Sequence, residues 1–272
     1  MRRTISNIGF GLLAAAALFA ACENIDEEGR FSSDPIEFTP KKNVLVEDFT
    51  GQMCLNCPEA AEAVHALQNL YGEEHVVAVA IHGGGLKLPL PYSNVGQLAT
   101  EVGDAFNEYW GISVWPMGLV DRGPVQEYTA WSGRAVERMQ QPAKVALSAE
   151  LVDDDAATLK ADSITVGVSL EGIESGAGRL SVWLVEDGIV GLQRMPDGSN
   201  NPRYTHNHVF RAALNDPYGD PVAFDAGGRY DFSYGHVLPA HWNRANLSAV
   251  VFVWNEAEGV LQVVRQELGL NQ

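Results

Sequence analysis

The chain has 272 residues, 46% of them hydrophobic and 19% charged, a balance that excludes a disordered chain and gives room for one large domain or two ordinary ones. Its net charge of −17, from 35 acidic against 18 basic residues, excludes nucleic acid as a default partner, because phosphate binding needs a basic surface, and disfavours docking on anionic lipid through charge. Three cysteines are too few for a disulfide-stapled miniprotein.

Arg2 and Arg3 precede an apolar run from Ile8 to Ala21. That run of 14 residues is shorter than the roughly 20 a helix needs to span a bilayer core. With the small pair Ala20-Ala21 it makes residues 1–21 read as a secretory signal peptide. Phe19-Ala20-Ala21-Cys22 resembles a bacterial lipobox. The resemblance implies that Cys22 is lipidated and becomes the mature N-terminus, so that a soluble body hangs on a membrane anchor. The alternative is a soluble secreted chain with an incidental cysteine. Residues 22–42 read as a tether, acidic at first and then polar and proline-bearing from Gly29 to Pro40.

From residue 43 to 142 strand-like and helix-like segments alternate. Asn43–Phe49 reads as a buried strand. Pro58–Tyr71 reads as a helix with an apolar stripe at Ala60, Val64, Leu67 and Tyr71, stopped by Gly72. Val76–Ile81 is a β-branched run suited to a central strand. A second helix is expected over Gln97–Trp110, a short strand over Met117–Val120 and a third helix over Trp131–Gln141. The order predicts an α/β layer with a parallel component.

Residues 143–272 change character. Strands are expected at Val145–Leu151, Ala157–Ala161, Ile164–Leu170, Leu180–Glu186, His208–Ala213, Arg229–Ser233, Ala249–Trp254 and Val260–Gln266. Alternation is cleanest where Ile164, Val166 and Val168 interleave with Thr165, Gly167 and Ser169. The fold class is therefore α/β plus all-β, the second part an antiparallel β-sandwich.

Cys54-Leu55-Asn56-Cys57 is the one chemically sharp motif. It falls between the first strand and the first helix, so Cys54 belongs in the loop at the helix start and Cys57 in the first turn. Unpaired N–H groups and the helix dipole favour negative charge there. Such settings lower a thiol pKa from about 8.5 to roughly 3.5–7.5. Cys54 is then the attacking thiolate and Cys57 the resolving thiol, provided that a partner can reach Cys54. Pro58 suits a first turn because its missing N–H needs no partner. Three other readings stand beside this one: a static disulfide, half of a zinc site, and a binding scaffold that merely retains its cysteines. Asp48, six residues before Cys54 and inside the apolar strand, has the position of a buried acid that exchanges protons with Cys57. Exposure at a strand end, or a role for Glu47 instead, are the alternatives. Trp115-Pro116 supplies a rigid turn if its bond is cis.

Residues 43–122 resemble a thioredoxin-like domain, in which a strand leads to CxxC at a helix start and a cis-proline loop faces the dithiol. The resemblance implies Cys54 as nucleophile, Cys57 as resolving thiol, Asp48 as buried acid and Pro116 as the loop proline. Leu55-Asn56 replaces the usual Gly-Pro pair, Met53 stands where tryptophan is usual and Met117 where threonine is common. Only one obvious strand follows Pro116, which puts the usual closing hairpin in question. Over the mature chain, Glu47-Asp48-Phe49-Thr50-Gly51 before Cys-x-x-Cys-Pro, Gly118-Leu119-Val120-Asp121-Arg122, and Tyr204-Thr205-His206-Asn207-His208-Val209-Phe210-Arg211 resemble an outer-membrane lipoprotein family of roughly 28 kDa proteins, a likeness that speaks for architecture and location more than activity.

His206 and His208, at i and i+2, would share one face of a strand and suit a metal, with His236 and His241 as added ligands; a polar structural network is the plainer reading. His82-Gly83-Gly84-Gly85 lacks the lysine and spacing of a phosphate loop, and no Gly-x-Ser-x-Gly is present. No metal or cofactor is assigned. The sequence thus predicts a lipid-anchored envelope protein that exchanges disulfides with extracytoplasmic protein partners. The alternative is a non-enzymatic, adhesin-like surface binding protein braced by a passive Cys54–Cys57 bond.

Overall fold

A computed structural model of the chain describes residues 38–88, 98–153 and 163–267. The signal peptide, Cys22, most of the tether and the strand expected at 157–161 lie outside the described residues.

The first strand, β1 (Val44–Thr50), is buried along its whole length, as an apolar strand covered on both faces must be. Helix α1 (Cys57–Tyr71) follows; Pro58 occupies its first turn and Gly72, with φ 90°, ends it. Strand β2 (Val76–His82) returns parallel to β1 with Leu45 beside Val77 and Thr50 beside His82. Helix α2 (Glu101–Tyr109) is capped by the Thr100 hydroxyl, which accepts from the Gly103 N–H. It is shorter than the helix expected from Gln97 to Trp110. Strand β3 (Met117–Val120) pairs antiparallel with β1 on its other side, and α3 (Trp131–Met139) follows. One bridge, Gly118 to Gln126, stands where a closing strand would lie.

The second part supplies β4 (Val145–Asp153), β5 (Ser163–Gly172), β6 (Gly176–Glu186), β7 (Ile189–Arg194), β8 (Asn200–His206), β9 (Val209–Ala213), β10 (Asp220–Phe224), β11 (Arg229–Val237), β12 (Leu247–Asn255) and β13 (Gly259–Glu267). Strands β11, β5 and β4 form one sheet. The others, the β7–β8 hairpin excepted, extend the first sheet into the order β13-β12-β6-β9-β2-β1-β3, with β10 also on β6. The join is β9, antiparallel to β6 and bridged in parallel to β2 at Ala80–Val209. The expected division at residue 142 therefore runs through a continuous sheet, and Pro40–Gln272 forms one compact unit.

Burial follows from this layering. In β12 every residue but the last is buried. Ala249, Val251 and Val253 face the β4-β5-β11 sheet and complete a sandwich-like core. Val250, Phe252 and Trp254 face the opposite core with Phe106 of α2. Each large apolar side chain so enclosed contributes about 1.5–3 kcal/mol. Strands β7, β8 and β10 were not expected. β8 and β10 each carry a proline and bury only their last residue, so pairing rather than apolar pattern makes them strands, whereas β7 buries Ile189, Gly191 and Gln193 in alternation.

Two buried charge clusters tie the parts together. Asp121 accepts from the Leu45 N–H at 2.9 Å, from Arg138 Nε at 2.8 Å and from the Lys42 ammonium. Arg138 also donates to the Glu258 and Val260 carbonyls. Next in sequence, Arg122 pairs with buried Glu47 at 3.4 Å, its guanidinium carbon 4.1 Å from the Trp254 ring centroid and 4.8 Å from that of Phe252. Both Asp121 and Arg122 have φ 54°, a conformation that surrounding contacts must hold.

Candidate functional site

The loop from Gly51 to Asn56 leaves β1 and delivers the cysteines to the start of α1. Cys57 is the first residue of the helix, and Asn56 provides no side-chain cap, so first-turn N–H groups remain without a side-chain partner. Cys54 and Cys57 are joined in a disulfide. The Trp115–Pro116 bond is cis. Pro116 directly precedes β3, whose Met117 pairs with Phe49, so it lies at the same end of the sheet as the cysteine loop. Gly51 meets the turn at 84–86 so closely that a β-carbon would come within 2.6 Å of the Leu86 carbonyl oxygen; any side chain would push the two apart.

Alternation along β1 sends Glu47 and Asp48 to opposite faces. Glu47 goes to Arg122; Asp48 goes to the α1 side. There it lines a cavity of about 50 Å³ with Cys57, His82, Tyr204 and His206, room for a few waters. Asp48 is 5% exposed, and its Oδ1 has no hydrogen-bond partner. Burial raises its pKa from 3.8 to about 8, so the carboxyl is protonated at neutral pH. His82 Nδ1 and His206 Nε2 are likewise buried without partners, and their rings meet edge-on at 5.3 Å. Burial, with the field of His206 and Arg211, holds His82 well below the usual range. Burial pulls His206 down to about 4, against a bond to the Leu192 carbonyl. Both imidazoles are neutral at pH 7.

The structure corrects one expectation about the cysteines. An attacking sulfur reachable by partners was expected, yet Cys54 is 2% and Cys57 3% exposed. The β7–β8 hairpin is bonded to their loop. Gln193 Nε2 donates to the Cys54 carbonyl at 2.8 Å and the Gly51 carbonyl at 3.3 Å. The Arg194 N–H donates to the Gln52 carbonyl at 2.8 Å, and Gln52 Nε2 donates to the Leu192 carbonyl at 3.0 Å.

The histidine motif divides. β8 ends at His206, and His208 adopts φ 56° before β9, so the two do not share a strand face as i and i+2. His206 enters the cavity. His208 binds Gln68 through Nε2 and Asp187 through Nδ1, each at 3.2 Å, and Asn207 accepts from the Gly188 N–H at 2.9 Å. His236 stacks on Trp242 and His241 is exposed. Among the described residues no three His, Cys, Asp or Glu side chains are grouped to hold a metal ion. No helix among them is long and apolar enough to cross a membrane.

Sequence reasoning singled out Cys54, Cys57, Asp48 and Pro116 but missed His82, Tyr204 and Gln193 as their neighbours. Gln193 has no local signature; it reaches the cysteines only through hairpin pairing.

A family model described as outer membrane protein Omp28 matches residues 103–272. The match begins inside α2 and does not include the cysteines. Among solved structures the chain is similar to HBP35 of Porphyromonas gingivalis, 19% identical over 85% of this chain and 77% of that one, with a TM-score of 0.66. That likeness speaks for fold alone. A domain of the outer membrane lipoprotein Omp28 from Porphyromonas gingivalis is 23% identical over 46% of this chain and 88% of that one, with a TM-score of 0.33. Curated proteins give no match.

Proposed function

The chain belongs to the outer membrane protein Omp28 family and is an outer-membrane protein, and from that premise we propose that it is anchored there by lipid on Cys22 and carries a thioredoxin-like thiol–disulfide centre at Cys54 and Cys57. The single observation that carries the redox reading is Asp48. A protonated carboxyl with a bare oxygen, walled in beside Cys57, is costly to bury. A disulfide that only braces a loop has no use for it. A disulfide that opens does.

A partner thiolate attacks Cys54 Sγ, forming a mixed disulfide and breaking the Cys54–Cys57 bond. The Cys57 thiolate leaves and takes the Asp48 proton. A second partner thiolate then attacks the partner's own sulfur in the mixed disulfide and releases Cys54. The partner is oxidised by two electrons, and Cys54 and Cys57 are reduced. Run backwards, the same steps reduce a partner disulfide. The strand order β2-β1-β3, CxxC at the start of α1 and the cis proline before β3 support a thioredoxin-like part for residues 43–142, with the strands of 143–272 presenting or selecting partners.

A second reading has an observation of its own. The near-complete burial of both cysteines and the Gln193 bond favour a passive brace in a surface binding protein. Thiol-exchange turnover decides between them. Cys54→Ser is expected to abolish turnover of a small disulfide substrate. Wild-type turnover no higher than that of the Cys54→Ser/Cys57→Ser double variant sinks the redox reading, and unchanged ligand binding in the double variant would then support the brace.

A further inference from the structure

We propose that the β7–β8 hairpin is an internal stand-in for the partner: β7 occupies the strip beside Cys54 where an extended, cysteine-bearing polypeptide segment must lie, with Gln193 as its latch. This rests on the exchange reading above.

The hairpin is a two-stranded sheet of its own. It meets the cysteine loop through groups that an incoming peptide would also use. The Gly51, Gln52 and Cys54 carbonyls all accept from it: Gln52 from the main-chain N–H of Arg194, Gly51 and Cys54 from the Gln193 amide. Gln52 returns a bond to the Leu192 carbonyl. Lifting β7 uncovers three acceptors and one amide donor around Cys54. That is the pattern an extended main chain satisfies, N–H groups towards carbonyls, in the manner of strand addition. It favours a polypeptide over a small thiol, which cannot replace these bonds. The hairpin has one buried face, at Ile189, Gly191, Gln193 and His206, and exposes Val190, Arg194, Arg203 and Thr205. Its attachment is thus shallow enough to open locally while the central sheet persists.

The test uses the full chain. Gln193→Met keeps the volume and removes both amide bonds to the cysteine loop, along with one to the Arg194 carbonyl. Arg194→Pro removes the one N–H given to Gln52. Reduction of the Cys54–Cys57 disulfide by a phosphine is expected to run roughly tenfold faster in each, the equivalent of one or two lost hydrogen bonds. Hydrogen exchange should show the β7 and β8 amides loosened and those of β12 unchanged, so the gain is not general loosening. In Cys57→Ser, an extended peptide activated as an aryl mixed disulfide is then offered to Cys54; one S–S bond forms, one breaks, and the aryl thiolate leaves. Attachment should strip protection from the Arg194 amide. Unchanged reduction rates in both hairpin variants, or a hairpin that stays protected with peptide attached, overturn the proposal. Faster reduction with no peptide captured in any variant leaves the hairpin as a cover and counts against the exchange reading instead.

Discussion

Asp48→Asn is expected to stabilise the protein at pH 8 by about 3–5 kcal/mol while lowering exchange turnover on the order of a hundredfold. The native pKa is raised to about 8 from 3.8 by burial. The folded state therefore holds a proton that the unfolded state releases, and stability falls as pH rises from about 4 to about 8. Asparagine keeps the shape and carries no titrating proton. The two proteins should be equally stable near pH 3 and diverge steadily above pH 4. Urea titrations across that range check it. A parallel pH dependence in both would place Asp48 in a wetter environment than the cavity provides. His206, held down to about 4, has the opposite sign: its contribution is present above the ordinary histidine range and is lost as pH falls towards 4. Only the difference between the variants isolates Asp48.

Asp121→Asn is expected to cost about 3–5 kcal/mol, the range for removing one partner of a buried ion pair. The carboxylate meets two cations, Lys42 and Arg138, and the Leu45 N–H. An amide keeps part of the hydrogen bonding and none of the charge, so both cations are left buried and uncompensated. Because Arg138 also donates to the Glu258 and Val260 carbonyls, the loss reaches the turn before β13. A thermal midpoint within a degree or two of wild type would show that this cluster holds nothing together.

These two aspartates illustrate what the sequence carried. β1, α1 and β2 were legible because apolar runs, a first-turn proline and a terminal glycine act locally. So was Asp48, an acid inside an apolar strand beside a dithiol. Asp121-Arg122 stood out within a family-like motif, but its role came from Lys42, Arg138 and Glu47, residues far apart in the chain. β5 and β12 followed from alternation and from an unbroken apolar run. β8 did not, since its polar residues carry no pattern, nor did β7, whose short run from Ile189 to Arg194 is placed by pairing with β8 and by bonds to Gln52. With them went the bonds that hold the Cys54 loop. Two half-folds were expected because composition changes near residue 143. One sheet instead runs through both parts, because composition records what each strand buries and not which strand lies beside it.

The reduction potential of the Cys54/Cys57 pair separates an exchanging centre from a brace. Equilibration of the full chain with graded thiol–disulfide buffers, followed by alkylation and mass analysis, yields it. An exchanging centre should lie between about −270 and −120 mV, within the span of catalytic dithiols. A value below about −300 mV, where structural disulfides sit, would contradict the account and make the bond a brace.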